Sequence, residues 1–263
     1  MAGEVEIVIT SPQNSKIKLV RALMGRAKER REAHAFVIEG VRLVEEVAER
    51  GWLFHFVLYD ETLSERGKSV LERLRGRGIE VDQISSDLMN DLSQTETPQG
   101  ILAVISVIDL PMPTSPDFIV IADQLRDPGN LGTLLRSAAA AGVQAVIIPP
   151  ETTDPFSPKV VRAGMGAHFR LAVHSRTWDN IRAYTEGLQV YLADMDGQSC
   201  WEANLRQPLA LIVGGEAEGA SGEARKLATQ KISIPMSGEI ESLNAGVAGS
   251  VLMFEVARQR SHI

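Results

Sequence analysis

The chain reads as an α/β protein in which a parallel-sheet domain follows a smaller α/β domain. Three observations predict this. From residue 117 onward, apolar strand-like runs alternate with helix-like segments, the pattern of a parallel sheet covered by helices on both faces. Two of those runs, FIVIA at 118–122 and LALIV at 209–213, are apolar on both sides, as strands buried on both faces are. Upstream lies a second, shorter α/β set, set off by DLPMPTSP at 109–116, where three prolines in eight residues favour a stiff extended segment. The expected organisation is a domain over 1–110, a linker over 111–116 and a domain over 117–263.

Composition bounds the function. The 263 residues are 44% hydrophobic and 23% charged, ordinary for a soluble globular protein. A net charge of -7 argues against a wholly basic nucleic-acid coat, although an acidic total can hide a basic face. The opening MAGEVEIVIT carries glutamates where a secretory signal would carry lysine or arginine. No apolar run approaches the roughly 20 residues that span a bilayer, and the single cysteine, Cys200, cannot close an intrachain disulfide. A cytoplasmic protein without a membrane segment is expected.

In the first domain, Ser11-Pro12 is expected to open a helix with Ile17, Val20, Leu23 and Met24 at helical spacing. Its Lys16, Lys18, Arg21, Arg26, Lys28, Arg30 and Arg31 stand against one acid within the stretch, Glu29. Such a basic helix is either a solvated face or a phosphate contact. A short strand (36–38), a helix (41–49), a strand (53–59), a helix (69–75) and strands near 79–84 and 101–108 follow, with Thr97 to Gly100 as a turn.

In the second domain the expected order is strand 118–122, helix 131–141, strand 143–149, helix 157–165, strand 169–174, helix 178–186, strand 188–194, strand 209–215, helix 223–230, strand 231–236 and helix 242–260. Open α/β sheets bind ligands beyond the carboxyl ends of their strands. Three loops there are unusual: ADQLRDPGN, GGEAEGASG and MSGEIESLNAGVAGS. On the helix after the first, Leu131, Leu134, Leu135 and Ala138 form one side, and Gly132, Thr133, Arg136 and Ala140 the other. Arg136 thus points away from the apolar stripe, beside a glycine that leaves room for an approaching group. Gly214 and Gly215 directly follow a buried strand, where missing side chains let a backbone come close to a ligand. Ser242 or Asn244 can cap the last helix, with Glu239 and Glu241 near its positive end. The small residues of NAGVAGS suit close packing against another backbone or a ligand.

Other chemistries find little support. The five histidines include no i, i+4 pair and no cysteine cluster nearby, so no metal is expected. No G-x-S-x-G elbow, phosphate loop or G-x-G-x-x-G occurs. Cys200 reads as a half-buried small residue and not a nucleophile.

Taken together, N-L-G-x-x-x-R-S-A (130–138), I-V-G-G-E-A-E-G (212–219) and I-P-M-x-x-x-x-x-S-L-N-A-x-V-A (234–248) resemble, in order, the three motifs of the SpoU/TrmH family of RNA 2'-O-ribose methyltransferases, of the SPOUT class. Ala217 stands where a glycine is common. The upstream half, with T-E-T-P-Q-G at 95–100, resembles the L30e-like substrate-binding domain often attached to this family. The resemblance implies S-adenosylmethionine (AdoMet) as methyl donor, an RNA ribose as acceptor, a homodimer and a C-terminal trefoil knot. It implies a donor pocket of Gly214, Gly215, Ile234, Met236, Ser242 and Leu243. Asn130 and Arg136 would hold the target ribose and its phosphate, and Glu218 and Asn244 would complete the polar shell. The second domain carries 13 lysines and arginines against 16 acids, so an RNA enzyme of this kind takes its phosphate contacts elsewhere. That favours Lys16, Lys18, Arg21, Arg26, Arg30 and Arg31 as RNA-binding residues. Ribosomal RNA is the favoured substrate; the alternatives are a transfer RNA and a non-catalytic RNA-binding module.

Overall fold

The protein is described by a computed structural model over residues 8–216, 219–238 and 242–261. The chain divides into two compact units, residues up to 108 with 156–158, and residues 109–155 with 159–263.

The first unit is built on a four-stranded sheet of β1 (Ala35–Glu39), β2 (Phe54–Tyr59), β3 (Val81–Gln83) and β4 (Ile101–Ser106), in the order β1-β4-β2-β3. β4 runs antiparallel to both its neighbours, and β2 pairs parallel with β3. The helices are α1 (Ser15–Gly25), α2 (Ala27–Ala33), α3 (Val41–Glu49), α4 (Glu65–Arg75) and α5 (Ser86–Leu92). Ile17, Val20 and Leu23 of α1 join Leu88, Met89 and Leu92 of α5 over Val37, Leu58 and Val104, forming one core layer. Such alternation along the strands is what period-two side chains dictate.

Three expectations change here. Asn14, not Ser11-Pro12, opens α1, its side chain accepting from the Lys16 amide at 2.9 Å. The basic stretch is two helices and not one: Arg26 takes extended backbone, φ -126° and ψ 130°, directly after Gly25, a poor helix former. Helix α5, capped by Ser85, occupies a stretch between the expected strands at 79–84 and 101–108 where no element was expected.

The second unit is a six-stranded parallel sheet in the order β10-β8-β9-β5-β6-β7. Its strands are β5 (Phe118–Ala122), β6 (Ala145–Ile148), β7 (Ala172–Ser175), β8 (Gln189–Ser199), β9 (Leu209–Val213) and β10 (Gln230–Ser233). α6 (Pro128–Ala140) and α10 (Ala245–Arg260) contribute Leu131, Leu134, Leu252 and Met253 to the core over Val120 and Val213. α8 (Trp178–Tyr184) and α9 (Gly222–Leu227) close the other face over Ile121, Leu192 and Ile212 through Ile181 and Ala224. Both β5 and β9 are buried along their whole length, as their two-sided apolar sequence requires. The chain winds outward in opposite directions from β5 and β9, so their following loops meet at the switch point of the sheet.

Packing explains several glycines differently from the sequence. Gly132 does not leave space for an approaching group: a Cβ there would lie 2.4 Å from the Ala163 Cβ and 2.8 Å from the Val160 carbonyl of α7 (Pro158–Gly164). Gly249 meets Leu134 in the same way, at 2.3 Å, which brings α10 against α6, where Ser250 donates to Ser137 at 2.7 Å. Strand β8 runs five residues past the expected end at 194, because its polar tail pairs with β10 across a register shift at Lys231/Ile232. Cys200 is fully buried, not half-buried, and burial pushes its thiol up to about 11. The proline-rich segment is tied to the second unit: Leu110 accepts from His174 and Pro113 from Tyr184, at 2.7 and 2.6 Å.

Candidate active site

The three unusual loops converge beyond the carboxyl ends of β5 and β9. Each is set by local chemistry. Asp127 caps α6, accepting from the Asn130 amide at 2.8 Å, and Pro128 fits the first helical turn, where no amide partner is needed. Asn244 caps α10, accepting from the Val247 amide at 3.1 Å; Ser242 does not. Between them, Gly215 pairs with Gly219 in an isolated antiparallel bridge. Gly215 passes so close to Gln124 that a Cβ would lie 2.4 Å from its carbonyl oxygen.

This convergence brings three side chains into hydrogen-bond contact. Asn130 donates to Glu216, and Asn244 donates both to Asn130 at 2.7 Å and to Glu216 at 2.8 Å. Positions separated in sequence by up to 114 residues thus form one polar junction at the mouths of two helices. Of the expected catalytic residues, Asn130 and Asn244 are in it. Arg136 is exposed on α6, makes no hydrogen bond or ion pair with a described residue, and lines neither adjoining cavity. It lies six residues beyond Asn130, about 9 Å along the helix. Glu218, with Glu239 and Glu241, lies outside the described residues. Glu216 was legible as a loop carboxylate but not as a partner of the two asparagines, because E-A-E offers two glutamates and spacing does not choose between them.

The larger cavity, of about 640 Å³, lies on one side of the Gly215–Glu216 wall. Gly214, Gly215, Ile234, Met236, Ser242 and Leu243, the expected donor pocket, all line it. Met236 and Leu243 are 38% and 37% exposed, so the cavity presents apolar surface of the kind a flat ring covers. Arg225 fixes the loop from outside, donating to the Ala220 carbonyl and to Asp194, both at 3.2 Å. Asp123 fixes it from inside: wholly buried at the end of β5, it accepts from the Ser221 amide at 2.6 Å, and burial holds its carboxyl above the usual range. Sequence reasoning passed over Asp123, although an acid directly after a buried strand is unusual. A second cavity, of about 240 Å³, adjoins the first through Gly215, Glu216 and Gly219, which line both, and is otherwise lined by Gln124, Leu125, Arg126, Asp127 and Asn130.

The basic stretch of the first unit is less basic than its sequence. Lys16 bonds to Glu80 and Asp82, and Arg21 to Asp91. Arg30 is not on a basic face: it is 5% exposed, and its guanidinium donates to the Leu23 carbonyl. Lys18, Arg26 and Arg31 are exposed.

A switch-point cavity with apolar walls, a glycine loop and a polar junction beside it defines an α/β protein with a small-molecule binding site. Residues 117–254 match the SpoU rRNA methylase family, and residues 14–103 match the MRM3-like substrate binding domain. The chain belongs to the SpoU rRNA methylase family. It is 35% identical over 254 residues to the 23S rRNA (guanosine(2553)-2'-O)-methyltransferase RlmP of Bacillus subtilis, covering 94% of this chain and 98% of that one. It is 32% identical to the 23S rRNA (uridine(2479)-2'-O)-methyltransferase of Streptomyces viridochromogenes, covering 96% and 92%. The crystal structure of the SpoU methyltransferase AviRb from Streptomyces viridochromogenes in complex with AdoMet superposes with a TM-score of 0.81 at 30% identity, over 94% of this chain and 99% of that one. An AdoMet-bound rRNA methyltransferase from Sinorhizobium meliloti superposes with a TM-score of 0.84 at 28% identity, over 96% and 97%.

Proposed function

We propose that the protein transfers the methyl group of AdoMet to the 2'-hydroxyl of a ribose in 23S ribosomal RNA. The observation that carries this reading is the Asn130–Glu216–Asn244 junction beside the 640 Å³ cavity, in a chain of this family. The cavity suits AdoMet: Ile234, Met236 and Leu243 offer apolar contact for adenine, and the backbone at Gly214 and Gly215 offers polar groups to its edge. When bound, AdoMet supplies a sulfonium methyl that is already electrophilic.

The chain therefore has to align a hydroxyl and dispose of its proton. Asn130, Glu216 and Asn244 orient the ribose through hydrogen bonds that exchange among themselves in its absence. Arg136, exposed on α6 and outside the lining of both cavities, is the residue proposed to reach the acceptor and its phosphate. A guanidinium has no free lone pair and is a poor base, so the role proposed for Arg136 is to stabilise the developing alkoxide while the proton passes to the substrate phosphate or to water. Glu218 completes the polar shell.

The first unit grips the RNA, with exposed Lys18, Arg26 and Arg31 meeting phosphates. Two copies associate: Val247 and Phe254 of α10, seven residues apart on one helix face, are 45% and 50% exposed, an apolar surface that suits a partner helix. The C-terminal segment forms the trefoil knot of the class. No helix among the described residues is long and apolar enough to cross a membrane, and the proposed site of action is the cytoplasm.

The test is transfer of radiolabelled methyl from AdoMet to unmodified ribosomal RNA by wild type, Arg136→Lys and Arg136→Ala. Label in 23S RNA that both substitutions abolish supports the reading. RNA binding without any label would point to a non-catalytic module, and full activity of Arg136→Lys would show the bidentate fork to be dispensable.

A further inference from the structure

We infer that the smaller cavity receives the base of the acceptor nucleotide and selects a base presenting an imino N–H beside a carbonyl oxygen, that is guanine or uracil. The inference rests on the methyltransferase reading and adds base choice to it.

Position comes first. The two cavities share Gly215, Glu216 and Gly219 as a common wall. Asn244 lines the larger, Asn130 lines the smaller, and both bond to Glu216 in the wall between them. A ribose held at that junction with its 2'-oxygen turned to the donor side has its base on the other side. The smaller cavity, of about 240 Å³, is the recess available there.

Polarity comes second. Gln124 and Arg126 both line this recess, and both reach Glu151, which does not line it. Gln124 donates its Nε2 to Glu151 Oε2 at 3.1 Å, and the Arg126 guanidinium lies 3.7 Å from the same oxygen. One N–H of the amide faces a carboxylate, which can only accept, so the carboxamide cannot turn over without setting oxygen against oxygen, and its own oxygen stays available as an acceptor. Arg126 has donors and no acceptor. The recess thus offers an acceptor and a donor side by side. Guanine N1–H with O6, and uracil N3–H with O4, present the complementary pair. Adenine and cytosine present a ring-nitrogen lone pair beside an amino group, the reverse polarity, which would set oxygen against lone pair and N–H against N–H. Glu151 acts here as a positioning residue, since it reads no base itself but decides which end of the Gln124 amide does.

The first experiment digests enzymatically methylated 23S RNA to nucleosides and identifies the product by mass spectrometry. The expected product is 2'-O-methylguanosine or 2'-O-methyluridine. A 2'-O-methyladenosine or 2'-O-methylcytidine product overturns the base assignment and leaves the methyltransferase reading standing. Absence of any methylated nucleoside from any RNA overturns both. In an RNA fragment carrying the modified site, replacing the target by adenosine or cytidine lowers kcat/KM roughly 10- to 100-fold for wild type. Glu151→Ala, which lets the Gln124 amide turn over, narrows that discrimination about tenfold while AdoMet affinity measured by calorimetry stays unchanged. Discrimination that is the same in wild type, Glu151→Ala and Gln124→Ala refutes the assignment.

Discussion

Mild acid should destabilise the second unit through one buried histidine. His168 is 3% exposed, lies in a short 3-10 turn (Ala167–Phe169) that packs on α6, and its Nε2 lies 2.7 Å from the Pro155 carbonyl, which the neutral imidazole can satisfy as a donor. Gly164 comes so near that a Cβ there would lie 3.0 Å from the imidazole Cε1, so α7 packs directly on the ring. Burial pushes the imidazole down from 6.5 to about 4, against the opposing pull of the Pro155 hydrogen bond and nearby Asp154. The folded value lies below the unfolded one, so the unfolded chain takes up the proton first. Stability is therefore complete above pH 6.5 and is lost as pH falls from 6.5 toward 4. Each pH unit in that window costs about 1.4 kcal/mol, so about 2 kcal/mol is gone by pH 5, before most carboxylates titrate, and about 3 kcal/mol by pH 4. Urea unfolding of wild type and His168→Gln, followed between pH 7 and 5, measures it. The glutamine variant is less stable at pH 7 but has the flatter profile. Equal slopes in the two proteins would refute the reasoning.

Further outcomes follow from the same contacts. Asn244→Asp keeps the α10 cap but loses both hydrogen bonds that Asn244 donates and sets a second carboxylate against Glu216, so it abolishes methyl transfer; Asn244→Ala loses activity together with about 1 kcal/mol of stability from the cap, as melting curves would show. Gly132→Ala drives a methyl group into the α7 backbone and destabilises by about 1–3 kcal/mol, and an unchanged melting temperature would contradict the packing described. Charge reversal at Arg26 and Arg31 weakens RNA binding and lowers the slope of log K against log salt by about 2, read by filter binding across a salt series, whereas Lys16→Ala and Arg21→Ala, whose charges already face acids, change it less.

Fold class was legible because its signals are local. FIVIA and LALIV could be placed as buried strands from five residues each, and strand β5 has the limits the sequence suggests. Errors fell where a local signal has a distant answer. The excess positive charge of residues 16–31 was counted along the chain, yet Glu80, Asp82 and Asp91, which balance Lys16 and Arg21, lie more than 60 positions away. Gly132 looked like an opening because a helical wheel shows no neighbouring helix; α7 fills it. The tail of β8 was lost because alternation ends at Asp194 while pairing with β10 continues.

The candidate site shows the same limit in a sharper form. Motif resemblance singled out Asn130 and Asn244 as isolated polar residues with assigned roles, and each also has an entirely local duty at a helix start, Asn244 as the cap of α10 and Asn130 through its amide on Asp127. What joins them is Glu216, in the loop three residues beyond the end of β9, brought between two helix starts by the winding of the chain outward from β5 and β9. A carboxylate in that place is favoured by both helix dipoles, so the junction is held even before a ribose arrives. An incoming hydroxyl has to displace one of those internal hydrogen bonds, and the enzyme gains from it only a bond of the same kind. Net affinity for the bare ribose is then small, and recognition of the acceptor falls to groups outside the junction: the base in the recess at Gln124 and the phosphates on exposed cations. A ribose that arrives without its correct base is thus held too weakly to react, which makes the recess, and not the catalytic junction, the place where substrate choice is made.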